Sequence, residues 1–234
     1  SRPLLPTNFS STTHVPSQWS GNSTVRVSWT EATDWGGSEI DGYSILWDSL
    51  ASSMPNKTKD IEDGDLTASY PSFGHGDNHH FHIRSVDNAG NWDDEAFHYG
   101  PFWIDKTDPE VHELKKRGNK TILTTIDPTE ILDWKVRDLH SGLLKVVLWQ
   151  KAPEESWKSI EEKIVSGNGL VSESFTLNPQ ANGTHRFGIH VLDNAGRECD
   201  EGTCGGPYNS GSVSINVDKS GPPKPTCTPT GGLY

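Results

Sequence analysis

Apolar side chains recur at every second position over much of the chain. Val25, Val27 and Trp29 alternate with Arg26 and Ser28, Tyr43, Ile45 and Trp47 alternate with Ser44, and Phe81 and Ile83 alternate with His80, His82 and Arg84. Further on, Leu132/Trp134/Val136, Leu144/Val146/Leu148, Phe187/Ile189/Val191 and Val213/Ile215/Val217 keep the same period. A period of two sends successive side chains to opposite faces, so each run predicts a strand with one apolar face. Short strands separated by turn clusters predict an all-β chain of antiparallel two-sheet sandwiches. Glu154 to Lys163 is the one helix-like stretch, and Pro153 before it with Ser166-Gly167-Asn168-Gly169 after it suits a strand–loop insertion equally well. From Gly221 the periodicity ends, and the Pro/Thr/Gly-rich run reads as a linker or tail.

The chain also repeats itself. Phe81-x-Ile83-x-x-Val86-Asp87-Asn88-Ala89-Gly90 returns as Phe187-x-Ile189-x-x-Leu192-Asp193-Asn194-Ala195-Gly196, 106 residues later. Ile104-Asp105-Lys106-Thr107-Asp108-Pro109 is echoed by Val217-Asp218-Lys219-Ser220-Gly221-Pro222. Upstream, Trp29 to Trp47 brackets Asp34 and Gly36-Gly37-Ser38, as Trp134 to Trp149 brackets Asp138 and Ser141-Gly142. Self-similarity at this spacing predicts two tandem modules, 1–107 and 108–220, with a tail over 221–234. Gly90 and Gly196 supply the positive φ that an Asn-Ala-Gly hairpin turn demands.

Composition narrows the function. The 234 residues carry 32 Asp and Glu against 20 Lys and Arg, a net charge of -12. Nucleic acid and anionic lipid are bound by clustered Lys and Arg, so this balance argues against both. No apolar run approaches the roughly 20 residues that a helix needs to cross a bilayer, so membrane insertion is not expected. Trp, Phe and Tyr together provide 21 large rings for thin cores. No nucleophile elbow, zinc-protease helix, phosphate loop or dinucleotide fingerprint is present, and the chain is expected to be non-enzymatic.

Cys199, Cys204 and Cys227 all fall in the last 36 residues, without the spacing of a zinc site. Cys199 and Cys204 are expected to staple one loop. Cys227 is then left to an intermolecular partner, to a partner beyond Tyr234, or to competition for Cys204. Five Asn-x-Ser/Thr sequons, at Asn8, Asn22, Asn56, Asn119 and Asn182, lie among polar neighbours where a glycan would be solvated. Disulfide and sequons together predict an extracellular or cell-surface location.

Two clusters bear on metal binding. His80 and His82, two apart on one strand, share a face and could place two imidazoles on one metal, or simply form a polar outer face. Asp87, Asn91, Asp93 and Asp94, with Glu95, crowd one turn. Clustered oxygen ligands suit calcium; no cofactor is required.

Val25-x-Val27-x-Trp29, then Asp34-x-Gly36-Gly37-Ser38-x-Ile40-x-Gly42-Tyr43-x-Ile45-x-Trp47, then His82-Ile83-Arg84-x-Val86-Asp87-x-Ala89-Gly90-Asn91 resembles a fibronectin type III domain over roughly residues 15–105. The second module resembles the Ig-like modules of secreted and surface proteins through Asp138-x-x-Ser141-Gly142-Leu143 and Val191-x-Asp193-x-Ala195-Gly196, with Arg197 where Asn91 stands in the first. The resemblance implies a non-catalytic extracellular role as spacer, adhesion module or assembly unit. Its expected partners are other modules of the chain, copies of itself in a fibre or surface layer, or glycans. It also implies that the loops holding Trp35 and Trp92 emerge at one end. There the rings would stack on sugars, anchor a protein, or cap their own core. The alternative function is a carbohydrate-binding accessory region of a secreted enzyme.

Overall fold

The computed structural model describes residues 1–118, 120–199 and 212–220. Wherever the apolar alternation runs for four or more residues, the backbone is extended. The first half holds β1 (Thr7–Ser11), β2 (Trp19–Ser20), β3 (Val25–Thr30), β4 (Ile40–Asp48), β5 (Ile61–Glu62), β6 (Thr67–Tyr70), β7 (Gly76–Asp87) and β8 (Phe97–Ile104). The second holds β9 (Glu110–Lys116), β10 (Ile122–Leu123), β11 (Glu130–Arg137), β12 (Leu143–Lys151), β13 (Lys158–Ile164), β14 (Leu170–Leu177), β15 (Gly183–Asp193) and β16 (Val213–Val217). Among the described residues every element is a strand, and the fold is all-β.

The strand order repeats as the sequence does. The first half forms sheets β1-β3-β6 and β2-β8-β7-β4-β5, and the second forms β9-β11-β14 and β10-β16-β15-β12-β13, the same two sheets with every number raised by eight. Long neighbours such as β4–β7, β7–β8 and β11–β14 are antiparallel, while the two-residue strands β2 and β10 run parallel to β8 and β16. By packing, the chain divides into two compact units. Unit 1 contains Ser1–Asp108 together with the loops Asp138–Leu143 and Leu192–Glu198, and unit 2 contains Pro109–Arg137, Leu144–Val191 and the described residues from Cys199 onward.

The inward residues form the cores as the alternation requires. In unit 1, Val25, Val27, Trp29, Tyr43, Phe81, Ile83, Phe102 and Ile104 are buried. Trp29 stacks on Phe81 with centroids 5.7 Å apart and meets Tyr43 edge-on at 5.6 Å. The Tyr43 hydroxyl accepts the Ala32 N–H at 3.1 Å, so the polar end of this core ring is satisfied. In unit 2, Leu132, Trp134, Val136, Val146, Leu148, Phe175, Phe187, Ile189 and Val191 are buried.

Three departures from simple alternation have local causes. Leu144 is exposed although Val146 and Leu148 are buried. Gly142, at φ +79°, turns the chain just before it, and Leu143 takes the inward position at the strand entrance. Within the helix-like stretch, Lys158–Ile164 is β13, paired antiparallel with β12. The outer face of β7 is not solvent-facing either: His82 and Arg84 are buried along with Phe81 and Ile83. Arg84 lies over the Trp92 ring at 5.1 Å. His82 is held between Asp48 (Nε2 to Oδ1, 3.0 Å) and His98 (Nδ1 to Nδ1, 2.7 Å).

The His82–His98 contact sets a pH dependence. One ring nitrogen must donate and the other accept, so the pair cannot hold a proton on both Nδ1 atoms. Burial, and then the neighbouring His82, push the His98 pKa below its usual value. A depressed histidine leaves the unfolded chain binding more protons, so its share of stability is complete above pH 6.5 and lost as pH falls below that. Denaturant unfolding at pH 7.5 and pH 5 should show this loss, and His98→Asn should reduce it; an equal loss in the variant would refute the assignment.

Candidate metal centre

The carboxylates that matter in unit 1 stand where strands stop. Asp105 follows β8, Asp138 follows β11, and Asp193 is the last residue of β15. An Asp at such a position accepts N–H groups of the turn it begins. Asp138 Oδ1 accepts the N–H groups of His140 at 3.0 Å and Gly142 at 2.6 Å. Asp193 Oδ1 accepts those of Ala195 at 2.9 Å and Arg197 at 2.7 Å. Asp105 Oδ1 accepts the N–H and hydroxyl of Thr107 at 2.9 and 2.6 Å, and its Oδ2 accepts the Ser141 N–H at 2.9 Å. Asn194 Nδ2 closes the arrangement by donating to the carbonyls of Ser141 at 2.9 Å and Gly142 at 3.0 Å.

The turns bring three acids together out of water. Asp105, Asp138 and Asp193 are 0%, 3% and 0% exposed, and one oxygen of each lies within 4.8 Å of the others. Asp138 Oδ2 and Asp193 Oδ2 are buried without a hydrogen-bond partner. Arg197 pairs with Asp108 at 2.5 Å, and His75 Nδ1 lies 3.4 Å from Asp105 Oδ1.

Electrostatics separate Asp193 from Asp105. Burial pushes the Asp193 carboxyl up to about 6, with the charges of Asp105 and Asp138 adding to the effect against the N–H groups of Arg197 and Ala195. Burial also opposes ionisation of Asp105, but the Thr107 hydroxyl and N–H and the Ser141 N–H outweigh it and hold its pKa below the usual value. Converging buried carboxylates cannot all stay ionised unaided; they take up a proton or share a cation.

The acidic turn singled out in the sequence is arranged differently. Asp87 Oδ1 accepts the N–H groups of Ala89 at 3.0 Å and Asn91 at 2.8 Å, and Oδ2 accepts Asn91 Nδ2 at 2.9 Å. Asp93 Oδ1 accepts the Glu95 N–H, and Asp94 pairs with Arg2. Asp87 and Asn91 are thus brought together, while Asp93 and Asp94 face other partners. His80 Nδ1 contacts the Asn78 carbonyl and His82 is engaged as described, so these two rings do not aim at a common point.

Trp35 and Trp92 occupy the β3–β4 and β7–β8 loops of unit 1. Trp35 is 85% exposed, whereas Trp92 is half-buried under Arg84. Asn8, Asn22, Asn56 and Asn182 are exposed. Asn119, Cys204 and Cys227 lie outside the described residues, and so does the expected Cys199–Cys204 pairing. Cys199 is buried, with Sγ accepting the Val191 N–H at 3.2 Å.

No family model and no curated protein matches the chain. Among solved structures it is similar to dimeric latent PorU from Porphyromonas gingivalis, at 11% identity and a TM-score of 0.32. That match covers 95% of this chain and 23% of PorU, and a likeness so low assigns neither family nor function.

Replacing one acid tests the electrostatics. In Asp193→Asn, Oδ1 still accepts its two N–H groups while Nδ2 becomes a donor to the other carboxylates. Because the folded-state pKa is raised from 3.8 to about 6, ionising Asp193 removes about 3 kcal/mol of stability as pH rises across that interval. In excess chelator, Asp193→Asn should therefore match the parent near pH 3.5 and exceed it above pH 6.5. Equal denaturation curves at pH 7 would contradict this.

Proposed function

We propose that this chain is a non-catalytic structural or adhesive building block of a larger extracellular or cell-surface glycoprotein. The observation that carries the reading is the repetition of a whole unit plan, including its exit. Both halves use one strand order. Both leave the last strand through the same side-chain turn: Asp105 Oδ1 accepts the N–H and hydroxyl of Thr107, and Asp218 Oδ1 accepts those of Ser220. Repeating units with identical exits suit serial arrays, in which each copy contributes length and surface. Exposure of four sequon asparagines is compatible with glycan attachment, and the strand order agrees with the resemblance to fibronectin type III and Ig-like modules.

Self-assembly into a fibre or surface layer extends this reading, with copies of the chain as partners. A second reading, a carbohydrate-binding accessory region of a secreted enzyme, rests on Trp35, a large ring standing free beside Asp34. Intact mass of protein from a eukaryotic secretory host, before and after deglycosylation, should show attached glycan. Light scattering with and without reductant should separate monomer from covalent assembly. Glycan-array binding lost in Trp35→Ala would favour the second reading, and a full set of unmodified sequons would count against the first.

A further inference from the structure

The first half contains its own control for the three-acid pole, because Asp34 and Asp87 begin the turns that correspond to those of Asp138 and Asp193. The turns accept N–H groups at the same positions, two and four residues on: Asp87, Asp138 and Asp193 take both on Oδ1, whereas Asp34 takes that of Gly36 on Oδ1 and that of Ser38 on Oδ2. The side chain four residues on differs as well. Ser38 Oγ donates to Asp34 Oδ2 at 2.8 Å, and Asn91 Nδ2 donates to Asp87 Oδ2 at 2.9 Å. The matching positions hold Gly142, which has no side-chain donor, and Arg197, whose guanidinium turns to Asp108. Each exchange leaves one buried Oδ2 without a partner. Where Ser1 Oγ donates to Asp34 Oδ1 at 3.0 Å, the second set of turns instead meets a third carboxylate, Asp105. Three side-chain donors have been replaced by two vacated oxygens and another acid.

We infer that Asp105, Asp138 and Asp193 bind one calcium ion through the carboxylate oxygens that their turns leave free. Each acid is anchored by its other oxygen or, for Asp105, by hydrogen bonds to both oxygens that leave a lone pair, so the donors are preorganised. One oxygen of each acid lies within 4.8 Å of the others, inside the span of about 5 Å that two oxygens at calcium–ligand distance can bridge. The three converging donors are all carboxylates, the oxygen chemistry that calcium takes. The Ser141 hydroxyl, buried and next to Asp105, is a further uncharged oxygen beside the acids.

The full chain, freed of metal by chelator, is to be titrated with calcium chloride and, separately, magnesium chloride and zinc chloride. Native mass spectrometry counts the ions, calorimetry gives affinity, and hydrogen exchange locates the effect. One calcium per chain is expected, with slower exchange in 138–143 and 192–198. At calcium about 100-fold above its Kd, the transition containing unit 1 should rise by roughly 5–10 °C. Asp138→Asn and Asp193→Asn should weaken calcium binding at least about 10-fold. Arg197→Asn, which keeps all three acids but restores the donor seen at Asn91, should weaken it too, whereas Asp93→Asn with Asp94→Asn should leave it unchanged. The proposal is overturned if no calcium binds, if binding survives the triad substitutions, or if the Asp93/Asp94 change abolishes it. Asp193→Asn is expected to fold well without metal, so its loss of binding separates ligation from misfolding.

Discussion

A carboxylate that gathers the N–H groups of the turn it begins is the interaction on which the loop architecture rests. Asp34, Asp87, Asp138 and Asp193 all use it, each accepting from residues two and four further on. The chain reverses within a few residues while its amide groups stay satisfied, and the apolar alternation resumes on the correct face. Asparagine follows at Asn88 and Asn194, and each side-chain amide donates to carbonyls of the neighbouring loop. The strands supply the cores; Asp87, Asp138 and Asp193 stand where strands stop, and Asp34 within the β3–β4 loop.

The same interaction divides into two electrostatic regimes. At Asp34 the N–H of Gly36 and the hydroxyl of Ser38 lower the carboxyl to about 2, so the charge is retained. At Asp193 burial and two neighbouring acids raise it to about 6. The distinction lies in burial and neighbouring charge, together with whether a donor reaches the second oxygen. A hydrogen bond to a buried carboxylate is worth more than one between neutral groups, and leaving its acceptor bare costs the full desolvation of that atom. Two such bare oxygens beside a third acid make one pole dependent on a counter-ion, while the other is complete in itself.

Much of the fold was legible because period two and duplicated turns are local signals. Val25/Val27/Trp29 and Leu132/Trp134/Val136 form buried strand faces in the positions the alternation requires. The outer face of β7 was not legible: His82 and Arg84 read as solvent-facing, and only their tertiary partners Asp48, His98 and Trp92 bury them. The acid pole was harder still. Asp87, Asn91, Asp93 and Asp94 attract notice because they crowd together in sequence, yet the converging acids come from three separate strand ends. The available signal was Arg197 at the position of Asn91, a lost amide donor whose meaning emerges only when the Asp193 oxygen is seen without a partner.

The discontinuity of unit 1 has a consequence for the order of folding. Asp105 and Asp193 are separated by 88 residues, and the segments 138–143 and 192–198 that complete the unit are made long after its own strands. Contacts of such separation are slow to form, because the intervening chain must surrender its freedom before they are rewarded. During synthesis, residues 1–108 can collapse around Trp29 and Phe81 while Asp105 still lacks its distant partners. Unit 1 is therefore finished from downstream, and the emergence of Glu198 from the ribosome, rather than that of Asp108, marks the earliest moment at which it can be whole.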